Sequence, residues 1–179
     1  MSQLEKKKFI IYTIFLTFFI LFTNNYYNFD ETLKINQFDG KSYFTIANSV
    51  FGFSLEDIPY HHAQRFFLPY LLGIISKIFN FDLYFIFQLY IYVICFLILY
   101  FHIKVTFLSN CNLKTSVLCL SLVFLNPYLA RYFLSVPTMF NDATFLLGLY
   151  IFFYGLLKKN NFLFIGFLLT ILSRQTGLF

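Results

Sequence analysis

The stretch LYFIFQLYIYVICFLILYF, residues 83–101, decides the fold class because it contains no Lys, Arg, Asp or Glu. In a helix, such a stretch comes close to the roughly 20 apolar residues that cross a hydrocarbon core. Similar apolar runs lie on both sides of it, at residues 9–22, 113–129, 139–157 and 162–172. The sequence therefore predicts an all-α fold, a polytopic transmembrane helix bundle with five spans that forms a single domain over residues 1–179.

The composition indicates the same class of protein. Hydrophobic residues make up 59% of the chain and charged residues 12%, and the mean hydropathy is +0.71. This leaves too little polar surface to cover a water-soluble globule. The formal net charge of +5 comes from bases scattered at the ends of apolar runs, whereas nucleic-acid-binding proteins cluster their bases on one face. We therefore expect membrane lipid, and not nucleic acid, as a partner.

The distribution of basic residues predicts the orientation. Lys and Arg are depleted from short loops that have to cross a membrane. With five spans, seven of the 13 bases fall on the side of the N-terminus, together with a single acid, Glu5. These bases are Lys6, Lys7, Lys8, Lys104, Lys114, Lys158 and Lys159. We therefore expect a multi-pass protein of the bacterial inner membrane with a cytoplasmic N-terminus and a first external loop at residues 23–82.

Residues 66–79 form a further apolar stretch, and the sequence leaves open whether it crosses. The stretch is short for a span and contains Pro69, Gly73 and Lys77. If it crossed, the basic residues of the later loops would become external, against the positive-inside bias. We expect a helix that lies in the membrane interface with its apolar face toward the lipid.

The first candidate functional residue is Asp39, in the segment QFDGKSYFTIA at residues 37–47. An Asp followed by Gly favours a tight turn that exposes the carboxylate, and the apolar run after it favours a short helix. Near a membrane surface, partial desolvation raises the basicity of a carboxylate, which suits a general base. The alternative is an ordinary surface turn.

The segment EDIPYHHAQRFFLPYLLGI, residues 56–74, offers two kinds of ligand. Arg65 would bind a lipid phosphate through two parallel hydrogen bonds, or would anchor the chain among the headgroups. His61 and His62, with the acids before them, would suit a divalent cation, but neighbouring residues of a helix point about 100° apart. A divalent metal cofactor therefore stays open, and we assign no metal ligands.

Two later segments contain the remaining candidates. NPYLARYFLSVPTMFND, residues 126–142, breaks the apolar pattern with two prolines and Arg131, and it places Asp142 at the start of the next helix. The alternative to a catalytic Asp142 is a carboxylate that stabilises a helix N-terminus. Arg174 lies where the last run reaches the membrane surface, and a charged residue at that depth is a functional candidate by default.

Together these segments resemble the GT-C superfamily of polytopic glycosyltransferases, which use polyprenyl-phosphate-linked sugars as donors. FDGKSYFTIA resembles the acidic motif of their first external loop, and QRFFLPYLLGIISKIFNF is similar to the interfacial helix that follows it. VPTMFNDATFLLGLY and LSRQTGLF are similar to segments of the later helices. The resemblance implies Asp39 or Asp142 as the catalytic base, on the external face. It also implies that one or more of Arg65, Arg131 and Arg174 bind the lipid phosphate.

Two other classes of function are consistent with the sequence. A small transporter or flippase subunit would line a water-filled route with charged residues, whereas the predicted spans contain almost no ionisable residues. A non-catalytic membrane protein or fragment would use its polar residues only as anchors. Members of the GT-C superfamily usually have more spans than this chain, which ends at Phe179. We therefore expect either a GT-C-like glycosyltransferase or the N-terminal part of one.

Overall fold

The computed structural model describes residues 1–26, 39–50, 52, 58 and 60–174, and only the backbone of Asp39, Tyr60 and His61. The helices in this part of the chain are α1 (Gln3–Thr23), α2 (Asp39–Asn48), α3 (Tyr60–Ala63), α4 (Phe67–Phe79), α5 (Leu83–Leu108), α6 (Leu113–Phe124), α7 (Ala130–Ser135), α8 (Phe140–Lys158) and α9 (Phe162–Ser173). A 3₁₀ turn, Pro137–Met139, precedes α8. The described residues contain no β-strand, so the all-α prediction is confirmed for them.

In the part of the chain that the structure describes, two helical segments are long and apolar enough to cross a membrane by length and composition. They are α5 and the 3₁₀ turn together with α8, Pro137–Lys158. Helices α6 and α9 contain 12 residues each, which is about 18 Å at 1.5 Å per residue, against a hydrocarbon core of about 30 Å. Helix α1 contains 21 residues, but its first turns carry Lys6, Lys7 and Lys8. The two segments support a membrane protein, and crossing by five helices stays a prediction.

The third apolar run, residues 113–129, is helical only as far as Phe124. Pro127 explains this end, because the residue before a proline disfavours helical backbone angles. The chain turns there, and Tyr128 N donates to Asn126 Oδ1 over 2.9 Å. The final part of the predicted span is therefore a turn that leads into α7.

Helices α5 and α8 pack side by side, and two hydrogen bonds between side chains link them. Tyr90 Oη lies 2.9 Å from Thr144 Oγ1, and His102 Nδ1 lies 2.9 Å from Tyr150 Oη. His102 follows the predicted run 83–101, but α5 continues for about two more turns and includes it. Polar pairs of this kind stabilise helix packing in lipid by about 0.6–2 kcal/mol each.

Helices α8 and α9 approach each other closely because glycines line their contact. A Cβ on Gly166 would lie 2.3 Å from Phe152 N, and a Cβ on Gly155 would lie 2.1 Å from Leu163 N. A side chain would separate the two backbones at either position. The hairpin reverses at Lys159, which has a left-handed backbone with φ of 51°. The start of α8 and the end of α9 therefore lie next to each other.

One end of the bundle, here called the basic end, carries residues 1–8, 104–116 and 156–162. Lys6 Nζ lies 5.5 Å from the centre of the Phe107 ring, which places the start of α1 beside the end of α5. The α8–α9 turn joins the same end, because Phe101 contacts both Tyr154 and Phe162. All seven bases that the sequence assigns to the cytoplasm lie at this end.

The opposite end, here called the site end, carries residues 23–26, 39–44, 62–65, 82–84, 126–142 and 173–174. Asn24 Nδ2 donates to the Arg131 carbonyl over 3.1 Å, which joins the end of α1 to α7. The ring centres of Tyr43 and Phe140 are 5.4 Å apart, which joins α2 to the start of α8. This geometry collects the segments that the sequence predicts to be external.

Helix α4, which corresponds to the predicted interfacial stretch, packs mainly on α2 rather than along α5. Gly73 makes this packing close, because a Cβ there would lie 2.1 Å from the Ala47 carbonyl oxygen. Lys77 Nζ donates to the Val50 carbonyl over 2.7 Å, so the second half of α4 is joined to the residues that follow α2. The orientation of α4 relative to a membrane stays a prediction.

The outer surface of the bundle is apolar on several helices. Exposed side chains include Phe15 and Phe22 on α1, Phe96 on α5 and Phe164 on α9. Soluble monomers rarely expose large contiguous apolar patches. This surface supports contact with lipid around the bundle.

Candidate functional site

Asp142 and Arg174 form an ion pair at the site end. Asp142 lies in the first turn of α8, and Arg174 directly follows α9. Arg174 Nε donates to Asp142 Oδ1 over 2.6 Å, and Arg174 Nη2 contacts the same oxygen. The guanidinium carbon also lies 5.6 Å from the centre of the Phe145 ring. The carboxylate and the ring together hold the cation in one position.

A cavity of about 300 Å³, here called the site cavity, opens beside this ion pair. Its polar side chains are Asp142, Arg174, Tyr128 and Tyr132. The side chain of Arg174 is 35% exposed and that of Asp142 is 20% exposed, so a ligand in the cavity can contact both. Apolar walls with a few convergent polar groups are typical of ligand sites. The other described residues of the wall are Leu129, Phe133, Met139, Phe145, Leu146 and Leu149.

Asn141, directly before Asp142 in the chain, has a buried amide. Its side chain is 1% exposed, and neither amide atom has a hydrogen-bond partner in the part of the chain that the structure describes. A buried polar group without a partner costs about 1–3 kcal/mol. The sequence interpretation missed Asn141, although an amide directly before Asp142 at the start of an apolar run was a usable signal.

Asp39 is the first residue of α2, and its side chain lies outside the described atoms. Its backbone is one helical turn before Tyr43, whose ring contacts Phe140 at the start of α8. Residues four apart lie on one face of a helix. The structure therefore brings the start of α2 and the start of α8 to the same end of the bundle. It gives no distance between the carboxylates of Asp39 and Asp142.

Arg65 lies beside α2, where its Nη1 donates to Tyr43 Oη over 3.4 Å. His62 is buried next to it, and His62 Nδ1 lies 2.9 Å from Ser42 Oγ. Among the described residues, no group of three or more His, Cys, Asp or Glu side chains is placed to hold a metal ion. Glu56, Asp57 and the side chain of His61 lie outside the described atoms. A divalent metal site formed with these residues therefore stays open, as in the sequence analysis.

Arg131 lies apart from the site cavity, against the end of α1. Its Nη2 donates to the Thr23 carbonyl over 2.8 Å, and its Nε donates to Asn24 Oδ1 over 3.4 Å. Asn24 Nδ2 in turn donates to Ser135 Oγ over 3.0 Å. Of the three predicted phosphate ligands, the structure brings Arg174 to Asp142 and Arg65 to α2, and it places Arg131 beside α1.

Comparison with known proteins gives no relative for this arrangement. No family model matches the chain, and no curated protein or solved structure matches it.

Proposed function

We propose that the chain is a multi-pass membrane glycosyltransferase of the GT-C type, or the N-terminal part of one. In this proposal it transfers a sugar from a polyprenyl-phosphate-linked donor at the site end. The observation that carries the proposal is the Asp142–Arg174 ion pair in the wall of a 300 Å³ cavity. The contact of Tyr43 with Phe140, which brings the helix of Asp39 to the same end, supports it further.

The proposed roles follow from what the transfer requires. A base has to take the proton of the acceptor hydroxyl, and a cation has to stabilise the departing phosphate. The planar guanidinium of Arg174 matches phosphate oxygens in a two-point hydrogen bond. We assign the base to Asp39, with Asp142 as the second candidate, and the phosphate to Arg174, with Arg65 as a further cation at the same end of the bundle.

The proposed orientation puts the site end on the external face and the basic end in the cytoplasm. The seven bases of the basic end, against the single acid Glu5, support this choice. In the same proposal α4 lies along the external interface. Its exposed Phe66, Phe67, Ile78 and Phe79 side chains would then face lipid, and Lys77 would stay near the headgroups.

The test is sugar transfer from a polyprenyl-phosphate donor in membranes that contain the chain, or the longer protein to which it belongs. The central variant is Asp39→Asn, which keeps the size of the side chain and removes the proton acceptor. Loss of a general base reduces the rate by about 10²- to 10⁴-fold. We expect a loss of that size for Asp39→Asn, and a similar loss of donor binding for Arg174→Gln.

Asp82→Asn is the matched control. Asp82 is also an acid at the site end, but its carboxylate caps α5 by accepting from Phe85 N over 3.0 Å. Asn caps helices about as well as Asp, so this variant should transfer at the wild-type rate. Normal transfer by Asp39→Asn would exclude Asp39 as the base. Normal transfer by both Asp39→Asn and Asp142→Asn would overturn the proposed function.

A further inference from the structure

A second cavity, of about 410 Å³, lies between α1 and α5 and is here called the lateral cleft. Its described wall is almost entirely apolar and includes Ile20, Leu21, Phe96 and Leu134. Phe96 is 67% exposed and Leu21 is also exposed, so the cleft opens on the apolar perimeter of the bundle. Its volume and lining suit an extended hydrocarbon chain rather than a polar metabolite.

Arg131 lies just beyond one end of the lateral cleft. It is three residues before Leu134 on α7, and residues at this spacing share a helix face. Its guanidinium bonds to Thr23 and Asn24, which lie two and three residues beyond Leu21 of the cleft wall. The head of the side chain therefore lies about one helical turn above the apolar space.

The charge of Arg131 has no carboxylate beside it among the described residues, and both of its hydrogen bonds go to neutral oxygens. Arg174, by contrast, is neutralised by Asp142. A guanidinium has five N–H donors, and the bonds to Thr23 and Asn24 use two of them. An anion at this point would meet a cation that the protein has already oriented.

We propose that the lateral cleft binds one acyl chain of an anionic phospholipid, whose headgroup phosphate pairs with Arg131. The apolar wall takes the chain and the guanidinium takes the phosphate, so one amphiphile satisfies both features. This site is separate from the site cavity, because different residues of α7 line the two. Leu134 lines the lateral cleft, and Tyr132 and Phe133 line the site cavity. The proposal does not depend on glycosyl transfer.

The absence of tryptophan from the chain allows a direct test. Phe96→Trp introduces a single fluorophore at the mouth of the cleft, where an exposed aromatic side chain is already present. The protein is reconstituted in bilayers that contain increasing fractions of phosphatidylglycerol or phosphatidylcholine with brominated acyl chains, which quench the fluorophore on contact. Phe164→Trp on α9, where the side chain is 70% exposed, is the matched control on a surface outside both cavities.

At Phe96→Trp, we expect phosphatidylglycerol to reach half-maximal quenching at an about tenfold lower fraction than phosphatidylcholine, because the choline of phosphatidylcholine neutralises its own phosphate and weakens the pair with Arg131. Arg131→Gln in the same background should remove this difference, and Arg174→Gln should leave it. Thr17→Phe, which fills the cleft from α1, should weaken quenching by both lipids at Phe96→Trp.

Three results would overturn the proposal. They are equal quenching by the two lipids at Phe96→Trp, an equal preference for phosphatidylglycerol at Phe164→Trp, and a preference that survives Arg131→Gln. The second result would show that the net positive charge attracts anionic lipid to the whole surface. Transfer activity enters none of these measurements, so failure of the proposed function would leave this test unaffected.

Discussion

The six-residue helix α7 separates two cavities that differ in how an arginine is neutralised. On one side, the site cavity holds Arg174 paired with Asp142. On the other side, the lateral cleft is apolar, and Arg131 lies beyond its end with neutral oxygens as partners. The pair with Asp142 fixes the position of Arg174 and leaves some of its N–H donors for a ligand, whereas Arg131 has no carboxylate among the described residues and keeps its full charge for an anion from outside. The two cavities should therefore respond differently to the same type of substitution.

The largest expected effect is a loss of stability at the contact of α8 and α9, which supports the site cavity but not the lateral cleft. The site cavity depends on the close contact of α8 and α9, and a Cβ at Gly166 would lie 2.3 Å from Phe152 N and 2.6 Å from Phe152 Cα. Backbone atoms cannot rotate away, so we expect Gly166→Ala to reduce the free energy of unfolding by about 3 kcal/mol, at the upper end for overpacking. Thermal unfolding in detergent measures this change.

The control for Gly166→Ala is Gly52→Ala, where a Cβ would have no atom within 4 Å. A change below about 0.5 kcal/mol is expected there, as for most surface substitutions. The lateral cleft is formed without α8 and α9, so anionic-lipid quenching at Phe96→Trp should persist in folded Gly166→Ala protein. A Gly166→Ala protein as stable as the wild type would show that the two helices are not in close contact.

The next largest effect concerns the buried amide of Asn141. Asn141→Leu removes two polar atoms that have no partner among the described residues and keeps the number and branching of the side-chain heavy atoms. We expect the free energy of unfolding to rise by about 1–2 kcal/mol, because the desolvation cost of the amide is relieved. Under the proposed function the same variant should lose transfer activity, since sites often sacrifice stability for a polar group that meets the ligand.

Thr144→Val provides the matched comparison for Asn141→Leu. Thr144 is also fully buried, but its hydroxyl is bonded to Tyr90 and to the Phe140 carbonyl. Its loss should lower the free energy of unfolding by about 1 kcal/mol, opposite in sign. If Asn141→Leu were destabilised as much as Thr144→Val, the amide would have a partner and would not be available to a ligand.

The smallest effect compares the two arginines directly. A double-mutant cycle with Asp142→Asn and Arg174→Gln should give a coupling of about 0.5–1 kcal/mol in unfolding free energy, because the pair is partly exposed. The cycle of Asp142→Asn with Arg131→Gln should give none beyond about 0.3 kcal/mol, as expected for independent sites. Equal coupling in both cycles would show that Asp142 interacts with Arg131 as strongly as with Arg174, and the two cavities would then not differ in how their arginines are neutralised.

The helices were predictable from the sequence to a greater extent than their ends. Apolar runs identify α1, α5, α6, α8 and α9, since burial and lipid contact both require apolar side chains. Hydropathy does not report backbone hydrogen bonds, so it placed the end of α6 at Leu129 instead of Phe124. Hydropathy also placed the end of α5 before His102. A single polar residue interrupts an apolar run in the sequence, even where, as here, it bonds to a neighbouring helix.

The candidate residues were predictable individually, but their pairing was not. Asp142 and Arg174 are 32 residues apart, and their contact follows from the close α8–α9 hairpin, which depends on glycines at the interface. Arg131 was predicted to join them. It lies beside α1 instead, where its guanidinium donates to Thr23 and Asn24. Sequence periodicity gives no information on such a short helix.

The central claim is that the site end faces the outside of the cell and the basic end faces the cytoplasm. Single cysteines at Lys41 and Lys158, introduced in a background without Cys95, Cys111 and Cys119, test it with a membrane-impermeant maleimide in intact cells. Both lysines are exposed; Lys41 belongs to α2, and Lys158 is the last residue of α8. We expect Lys41→Cys to be labelled from outside and Lys158→Cys to be labelled only after the membrane is permeabilised. Labelling of both positions from the same side would contradict the account.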